Sequence, residues 1–204
     1  DLLGAEQSGF INDLGFDTYQ KLLGEAVDEL KKNEFKDLYA DQRGGWDPKE
    51  RECQLDTDLE LLLPDQYINF VEERLRIYRE LNDLKEEAQL QTYVAGLVDR
   101  FGALPPQAER LMTSLRLRWL GQSLGFDKMV LKAGKLLCYF PEEAHEAPPQ
   151  EVLMNFLAKI QAFPQRYRMK QKGPRISLVV DHIPTVQDAF VTLTELSSAP
   201  KIAP

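Results

Sequence analysis

Three carboxylates alternate along one short stretch of the chain, at Asp56, Asp58 and Glu60. Charged residues alternate with other residues from Arg51 to Leu61, which is typical of a half-buried β-strand. Side chains two residues apart in a strand lie on one face, so the three carboxylates would project together. Carboxylate oxygens are preferred ligands of Mg²⁺ and Mn²⁺, which makes a metal-dependent phosphodiesterase one hypothesis. An exposed acidic face that protects a sheet edge is the alternative, and we favour it.

The other reactive side chains are few and scattered. Nucleophilic catalysis by serine or cysteine usually needs a histidine base, and we interpret His145 and His182 as solvated loop residues. Cys53 and Cys138 have neither the spacing of a metal site nor that of a disulfide framework, so we expect reduced core residues. No glycine-rich phosphate-binding loop of either common type is present. The sequence therefore predicts no catalytic residue, no metal and no cofactor in this chain.

Charge is distributed unevenly along the 204 residues, whose net charge is −8. Residues 1–104 contain 12 Lys and Arg against 24 Asp and Glu, whereas residues 105–204 contain 13 against 9. An acidic first half disfavours general binding to phosphates and allows docking to a basic protein surface. The basic residues of the second half make a nucleic-acid-binding accessory domain a further alternative. They are Arg110, Arg116, Arg118, Arg166, Arg168, Lys170, Lys172 and Arg175. No apolar run is long enough to span a membrane.

The hydrophobic periodicity predicts a chain of helices and short strands. Predicted helices cover 17–32, 71–81, a segment ending at Phe101, 105–124, 150–162 and 185–197. Predicted strands cover 51–61, 128–132, 135–140, 166–169 and 175–180, with surface loops over 33–49 and 141–149. Asp83 has capping-box spacing with Glu86 and is predicted to cap the helix that Gly102 ends. The fold class is α+β, with a small mixed or antiparallel sheet packed against several amphipathic helices.

An ordered set of motifs resembles the C-terminal domain of bacterial transcription-repair coupling factors. The motifs are Leu2-Leu3-Gly4-Ala5-Glu6-Gln7-Ser8-Gly9, Gly15-Phe16-Asp17-Thr18-Tyr19, Leu62-Leu63-Pro64-Asp65, Leu97-Val98-Asp99-Arg100-Phe101-Gly102 with Leu104-Pro105, and Leu115-Arg116. The resemblance covers most of residues 2–120 and, more loosely, the remainder. It implies a lead-in from a motor domain over 1–14, one regulatory domain over 15–198 and a frayed tail over 199–204. We interpret the start at Asp1, without Met or a signal peptide, as the boundary of a piece of a longer protein.

The resemblance also implies a function. The parent would be an ATP-dependent translocase on double-stranded DNA, with ATP and Mg²⁺ in its motor. It would act on stalled RNA polymerase and recruit UvrA to nucleotide excision repair in the cytoplasm. The domain itself would be a non-catalytic, autoinhibitory element that covers the UvrA-binding surface of the UvrB-like N-terminal module. Residues 2–9 resemble the family's translocation motif without its preceding Arg-Gly-Ala-Gly portion, so we expect no ATPase activity.

Three acidic residues are the predicted docking residues, namely Glu86, Glu87 and Asp99. Asp99 matches an acidic position of the family's docking helix, whereas Gly96 stands where some members have a carboxylate one turn earlier. Carboxylates on a rigid helix would complement arginines on a partner. The alternative is that Asp99 pairs with a neighbouring arginine inside the domain.

Overall fold

The computed structural model describes residues 52–142, 150–173 and 175–198, without the side chains of 150–153 and 155. The elements are β1 (Gln54–Thr57), α1 (Val71–Asp83), α2 (Glu87–Phe101), α3 (Pro106–Ser123), β2 (Lys128–Lys132), β3 (Lys135–Tyr139), α4 (Gln150–Ala162), β4 (Tyr167–Lys172), β5 (Arg175–Asp181) and α5 (Val186–Ser197). The predicted helix over 17–32, the loop over 33–49, the lead-in, the tail and His145 lie outside the described residues.

The five strands form one mixed sheet in the order β1-β2-β3-β5-β4. β1 runs parallel to β2, and the other three pairings are antiparallel. The predicted α+β class is confirmed, with helices packed on one face of the sheet. None of the helices in the described part of the chain is long and apolar enough to cross a membrane.

β1 is much shorter than the predicted strand over 51–61, which is therefore wrong at both ends. The hydroxyl of Thr57 donates to the carbonyl oxygen of Leu131 at 2.7 Å and accepts from the backbone N–H of Leu59 at 3.1 Å. Asp58 then turns its carboxylate to the backbone N–H of Ala133 at 3.0 Å, in the β2–β3 turn. These side-chain bonds replace the strand ladder, because short polar side chains can offer the backbone alternative partners.

The β2–β3 hairpin is closed by a two-residue turn in which both residues have positive φ, 51° at Ala133 and 70° at Gly134. Positive φ at both positions is the type I′ geometry, whose twist matches that of the flanking strands. The prediction of strands on either side of this dipeptide is confirmed.

The prediction that Asp83 caps the next helix is wrong. Asp83 is the last residue of α1, and α2 begins only at Glu87. The capping contact instead comes from Gln89, whose side-chain oxygen accepts from the backbone N–H of Lys85 at 2.8 Å. A glutamine in the first turn of a helix can reach back to the backbone before it. The helix start therefore lies three residues later than predicted, with Glu86 and Gln89 in the positions expected for Asp83 and Glu86.

The apolar spacing of Val71, Leu75, Tyr78 and Leu81 predicts the buried face of α1, and the observed face differs from it. Ile77 and Leu81 are buried, whereas Val71 and Leu75 are 58% and 50% exposed. The inward position one turn before Ile77 is occupied by Arg74, which donates to the carbonyl oxygen of Ile68 at 2.7 Å. An arginine can lie along a half-buried face when its head group is hydrogen-bonded, so the apolar pattern alone misplaced the face.

Two hydrophobic clusters hold the described chain together. The sheet core packs the inner side chains of the strands, among them Met129, Leu136 and Leu178, against α3, α4 and α5. The helical core packs Ile77 of α1 and Leu90 of α2 against α3. α3 therefore contributes to both clusters.

The contact between α3 and the sheet is tightest at Gly121. A Cβ placed there would lie 2.7 Å from Cε and 2.8 Å from Sδ of Met129, and 3.1 Å from Sγ of Cys53. Met129 and Cys53 are both buried, so neither sulfur-bearing side chain can move into solvent. Glycine is required here for close helix-to-strand approach.

We predict opposite effects of alanine at two helical glycines. Gly121→Ala should destabilise the protein, because overpacking typically costs about 1–3 kcal/mol and the gain in helix propensity offsets about 1 kcal/mol at most. Gly96→Ala in α2, where nothing lies within 4 Å of the added Cβ, should stabilise by about 0.5–1 kcal/mol. Urea unfolding of both variants measures this, and a Gly121→Ala protein as stable as Gly96→Ala would contradict the packing described.

Candidate docking surface

α1 and α2 form an antiparallel helical hairpin with an open groove between them. The groove has a volume of about 660 Å³. Its lining comes from both helices and combines charged head groups with apolar side-chain surface: Arg76, Glu80, Glu86, Ala88, Gln89, Thr92, Tyr93, Gly96, Leu97 and Arg100.

Ion pairs fix the two helices relative to each other at one end of the groove. The carboxylate of Glu73 accepts from Arg76 on its own helix and from Arg100 of α2, the latter at 2.6 Å. These hydrogen bonds hold the pKa of Glu73 below its usual value. The guanidinium of Arg100 also lies 4.7 Å from the ring centroid of Phe101. Arg100 is thus oriented by a carboxylate and an aromatic ring together.

A tyrosine links the helices further along the groove. The hydroxyl of Tyr93 donates to Glu80 at 2.5 Å. Burial, together with the hydrogen bond to Glu80, raises the pKa of Tyr93. Tyr93 therefore stays protonated and keeps donating throughout the physiological pH range.

Asp99 lies on the exposed side of α2, one turn after Gly96. Within the described residues, no Lys or Arg lies within ion-pair distance of its carboxylate, although Arg100 is the next residue. Arg100 points to Glu73 instead. The predicted alternative of an internal arginine partner for Asp99 therefore finds no support among the described contacts.

Glu86 and Glu87 lie at the other end of α2. Glu86 is the exposed N-cap residue and makes no side-chain capping bond. Glu87 is held by Arg116 of α3 through two hydrogen bonds, Nε to Oε2 at 2.7 Å and Nη2 to Oε1 at 2.9 Å. About 18 Å of helix separates Glu87 from Asp99, so the structure does not bring the three predicted docking residues together.

The fork-shaped contact with Arg116 lowers the pKa of Glu87 from its ordinary value. A bidentate arginine–carboxylate pair has directional geometry as well as charge. Glu87 thus has an internal role, tying the start of α2 to α3.

The acidic triplet near β1 does not form a metal site. Asp56 pairs with Lys132 at 2.9 Å, and this hydrogen bond lowers the pKa of Asp56. Asp58 accepts from the backbone of the hairpin turn, and Glu60 lies beyond the end of the strand. Within the described ranges, no group of three or more His, Cys, Asp or Glu side chains could hold a metal ion. The sheet-edge interpretation fits these contacts.

The remaining candidates have structural positions. Burial raises the pKa of the Cys53 thiol to about 12, and Cys138 is fully buried with its pKa also raised. His182 is exposed, with φ of 61° in the turn after β5. Arg118 donates to the backbone of Cys53 at 3.1 Å and to Asn82 at 3.0 Å. None of these groups is poised for catalysis.

One surface feature was missed by the sequence analysis. Phe70, at the N-terminus of α1, is 75% exposed, and Val71 and Leu75 follow it on the helix. The apolar pattern of the sequence places Val71 and Leu75 on the buried face of α1. The inward position is in fact occupied by Arg74, which an apolar pattern does not identify. Large exposed apolar side chains are characteristic of surfaces that contact other proteins.

Comparison with known proteins agrees with this architecture. The family model described as TRCF domain matches residues 57–151, from the last residue of β1 to the start of α4. The transcription-repair-coupling factor of Escherichia coli is 33% identical over 182 residues, which cover 89% of this chain and 15% of that protein. The protein of the same name from Haemophilus influenzae is 32% identical over 180 residues, covering 85% and 13%. This chain thus spans a small part of the relatives' length.

A solved structure shares the fold. The crystal structure of the C-terminal domain of transcription-repair coupling factor has a TM-score of 0.58 with this chain at 15% identity. The likeness covers 72% of this chain and 94% of that one. The matched sequences and the motifs between residues 2 and 116 lead to one assignment: the chain belongs to the transcription-repair coupling factor family and contains its TRCF domain.

Proposed function

We propose that this domain is a non-catalytic regulatory element, which docks through the exposed side of α2 onto the UvrB-like module of a transcription-repair coupling factor. Docking would cover the UvrA-binding surface of that module and keep the protein autoinhibited. The observation that carries the proposal is the exposure of Asp99 on a helix that lies entirely within the matched family segment.

The surroundings of Asp99 suit a docking surface. The Glu73–Arg100 and Tyr93–Glu80 contacts already fix these side chains in the unbound domain. Binding therefore costs little additional side-chain conformational entropy. A free carboxylate on such a helix can accept a bidentate arginine from the partner. Val98, 41% exposed, provides apolar area beside it.

The same geometry separates the three predicted docking residues. Within the described ranges, the carboxylates of Asp99 and Glu86 have no ion-pair partner, whereas Glu87 would first have to leave Arg116. Exchanging the Glu87–Arg116 pair for a pair with an arginine of the partner would contribute little net binding free energy, because the carboxylate is paired in both the free and the bound domain. Asp99 is therefore assigned the main docking contact and Glu87 a positioning role.

The activities of the whole protein would belong to other parts of it. In this proposal the parent is a cytoplasmic ATP-dependent translocase on double-stranded DNA, with ATP and Mg²⁺ in its motor, acting on RNA polymerase and UvrA. The TRCF domain would bind no cofactor. The protein would exist in a docked and an undocked state, and engagement of the motor would shift the population to the undocked state. The domain would therefore bind the UvrB-like module with only modest affinity.

Binding to the UvrB-like module should depend on charge at two positions of α2. Asp99→Asn should weaken binding about 10-fold, because it removes a charge-assisted hydrogen bond. Gly96→Glu should strengthen it, since a Cβ at this position meets nothing within 4 Å and the glutamate supplies a carboxylate one turn before Asp99. Calorimetric titration of the 204-residue chain with the UvrB-like module, at low and high salt, measures both effects.

Gly96→Ala is the control for Gly96→Glu, because it changes the helix propensity without adding charge. It should leave the affinity within about twofold of wild type and the salt dependence unchanged. Absence of binding at any salt, or equal binding by wild type and Asp99→Asn, would refute the docking proposal.

The Glu87–Arg116 pair should contribute to stability only when Glu87 is ionised. Its folded-state pKa lies below the ordinary value of 4.5, so the contribution is present above that pH and lost as pH falls through the folded-state pKa. The side chains are 45% and 31% exposed, so the coupling should be under about 1 kcal/mol. A double-mutant cycle with Glu87→Gln and Arg116→Gln should show coupling at pH 7 and weaker coupling at about pH 3. Equal coupling at both pH values would contradict this assignment.

A further inference from the structure

The face of the sheet opposite the sheet core carries a concentration of positive charge. Strand alternation places Lys128, Lys132, Lys135, Lys170 and Lys172 on this outer face. Arg168 and Arg175 share it, which brings seven basic side chains onto one surface. Among the described residues, the carboxylates on it or at its margin are five: Asp56, Asp58, Asp127, Glu142 and Asp181. The described residues of this surface therefore have a net charge of +2, in a chain whose net charge is −8.

Four of the basic side chains have acidic partners. Lys132 pairs with Asp56 at 2.9 Å, and Arg168 and Lys135 share Asp181 at 2.5 and 3.8 Å. These pairs neutralise part of the surface beside the β2–β3 turn.

The fourth paired side chain is Arg175, which lies 2.7 Å from Asp127 and 3.8 Å from Glu142. Its guanidinium also lies 5.2 Å from the ring centroid of Tyr139. That stacking occupies the one aromatic ring that the outer face offers among the described strands. Tyr139 is thus not available as a platform on which a nucleic-acid base could stack.

Three lysines have no such partner in the described part of the chain. Lys128, Lys170 and Lys172 lie outside ion-pair distance of every described carboxylate. Lys128 and Lys170 occupy one row across the sheet, Lys128 opposite Tyr139, which is opposite Ser177, which is opposite Lys170. Three interstrand spacings of about 4.8 Å place their Cα atoms roughly 14 Å apart.

The apolar residues of this face do not form a protein-docking patch. Val179 is 3% exposed, and none of the large exposed apolar side chains of the described chain lies on the outer face. Stable protein interfaces bury an apolar centre, whereas surfaces that bind the phosphate backbone are polar and positively charged. Charge complementarity therefore selects phosphates as the ligand.

We propose that the outer face of the sheet binds the phosphate backbone of duplex DNA, without reading sequence, through Lys128, Lys170 and Lys172. A duplex is favoured over single strands because the face has no free aromatic platform. The proposal is independent of docking through α2, since the two surfaces share no residue.

The test is fluorescence anisotropy of a labelled 30-base-pair duplex titrated with the 204-residue chain. Three phosphate contacts give a slope of about 2.7 in log Kd against log salt, hence binding about 40-fold weaker at 200 mM than at 50 mM salt. Substituting Lys128, Lys170 and Lys172 together by Gln should remove nearly all of that slope and weaken binding at 50 mM salt at least 10-fold.

The matched control removes three positive charges from exposed positions outside the sheet, with Arg79, Lys85 and Arg110 substituted by Gln. It should bind within about twofold of wild type, while circular dichroism and urea unfolding verify that both triple variants are folded. Equal losses in the two triple variants, or no binding by wild type at 50 mM salt, would overturn the proposal. So would tighter binding of a single-stranded 30-mer, or displacement of the duplex by polyglutamate at equal charge concentration, which would identify an acidic protein segment as the partner.

Discussion

The burial of α3 on two sides is the constraint on which the rest of the domain depends. Leu117 and Leu124, at the end of this helix, belong to the sheet core, and Met112 and Leu115 belong to the helical core. A helix with apolar residues around most of its circumference must be covered on several sides. The α1–α2 hairpin and the sheet are therefore connected through one shared helix, and Gly121 sets how closely that helix approaches the strands.

Polar contacts from α3 add to the apolar packing and attach it to the neighbouring elements. Arg116 holds the start of α2, and Arg118 binds the chain just before β1, so two arginines of α3 attach one element on each side. Arg116 and Arg118, which the sequence analysis had counted among the residues of a nucleic-acid-binding alternative, are thus committed to internal contacts, whereas Arg110 of the same helix is exposed. Within the described part of the chain, Asp99 of α2 and Lys128, Lys170 and Lys172 of the outer sheet face lie outside ion-pair distance of any oppositely charged side chain. A domain of this kind can meet two partners of opposite charge.

Much of the fold could be predicted because its signals are local. Gly102 with φ of 87°, the Ala133-Gly134 turn and Pro105 before α3 each mark a boundary by their own backbone preferences. The incorrect predictions of the bounds of β1 and of the buried face of α1 have a common cause. In both, hydrogen bonds to residues outside the element override the local sequence pattern. β1 stops early because Thr57 and Asp58 bond to the β2–β3 hairpin, and the exposed face of α1 is misplaced because Arg74 turns inward. Of the candidate docking residues, Asp99 could be placed on a helix from sequence, but the pairing of Glu87 with a residue 29 positions away could not.

Hydrogen exchange of the domain with and without the UvrB-like module tests the central claim most directly, because it locates the contact without any substitution. Amide exchange in an exposed helix slows when a partner covers it. The account predicts slower deuterium uptake over the second half of α2, around Asp99, and unchanged uptake in the β2–β3 hairpin. A complex that forms while α2 exchanges at its free rate, with protection confined to other elements, would contradict it.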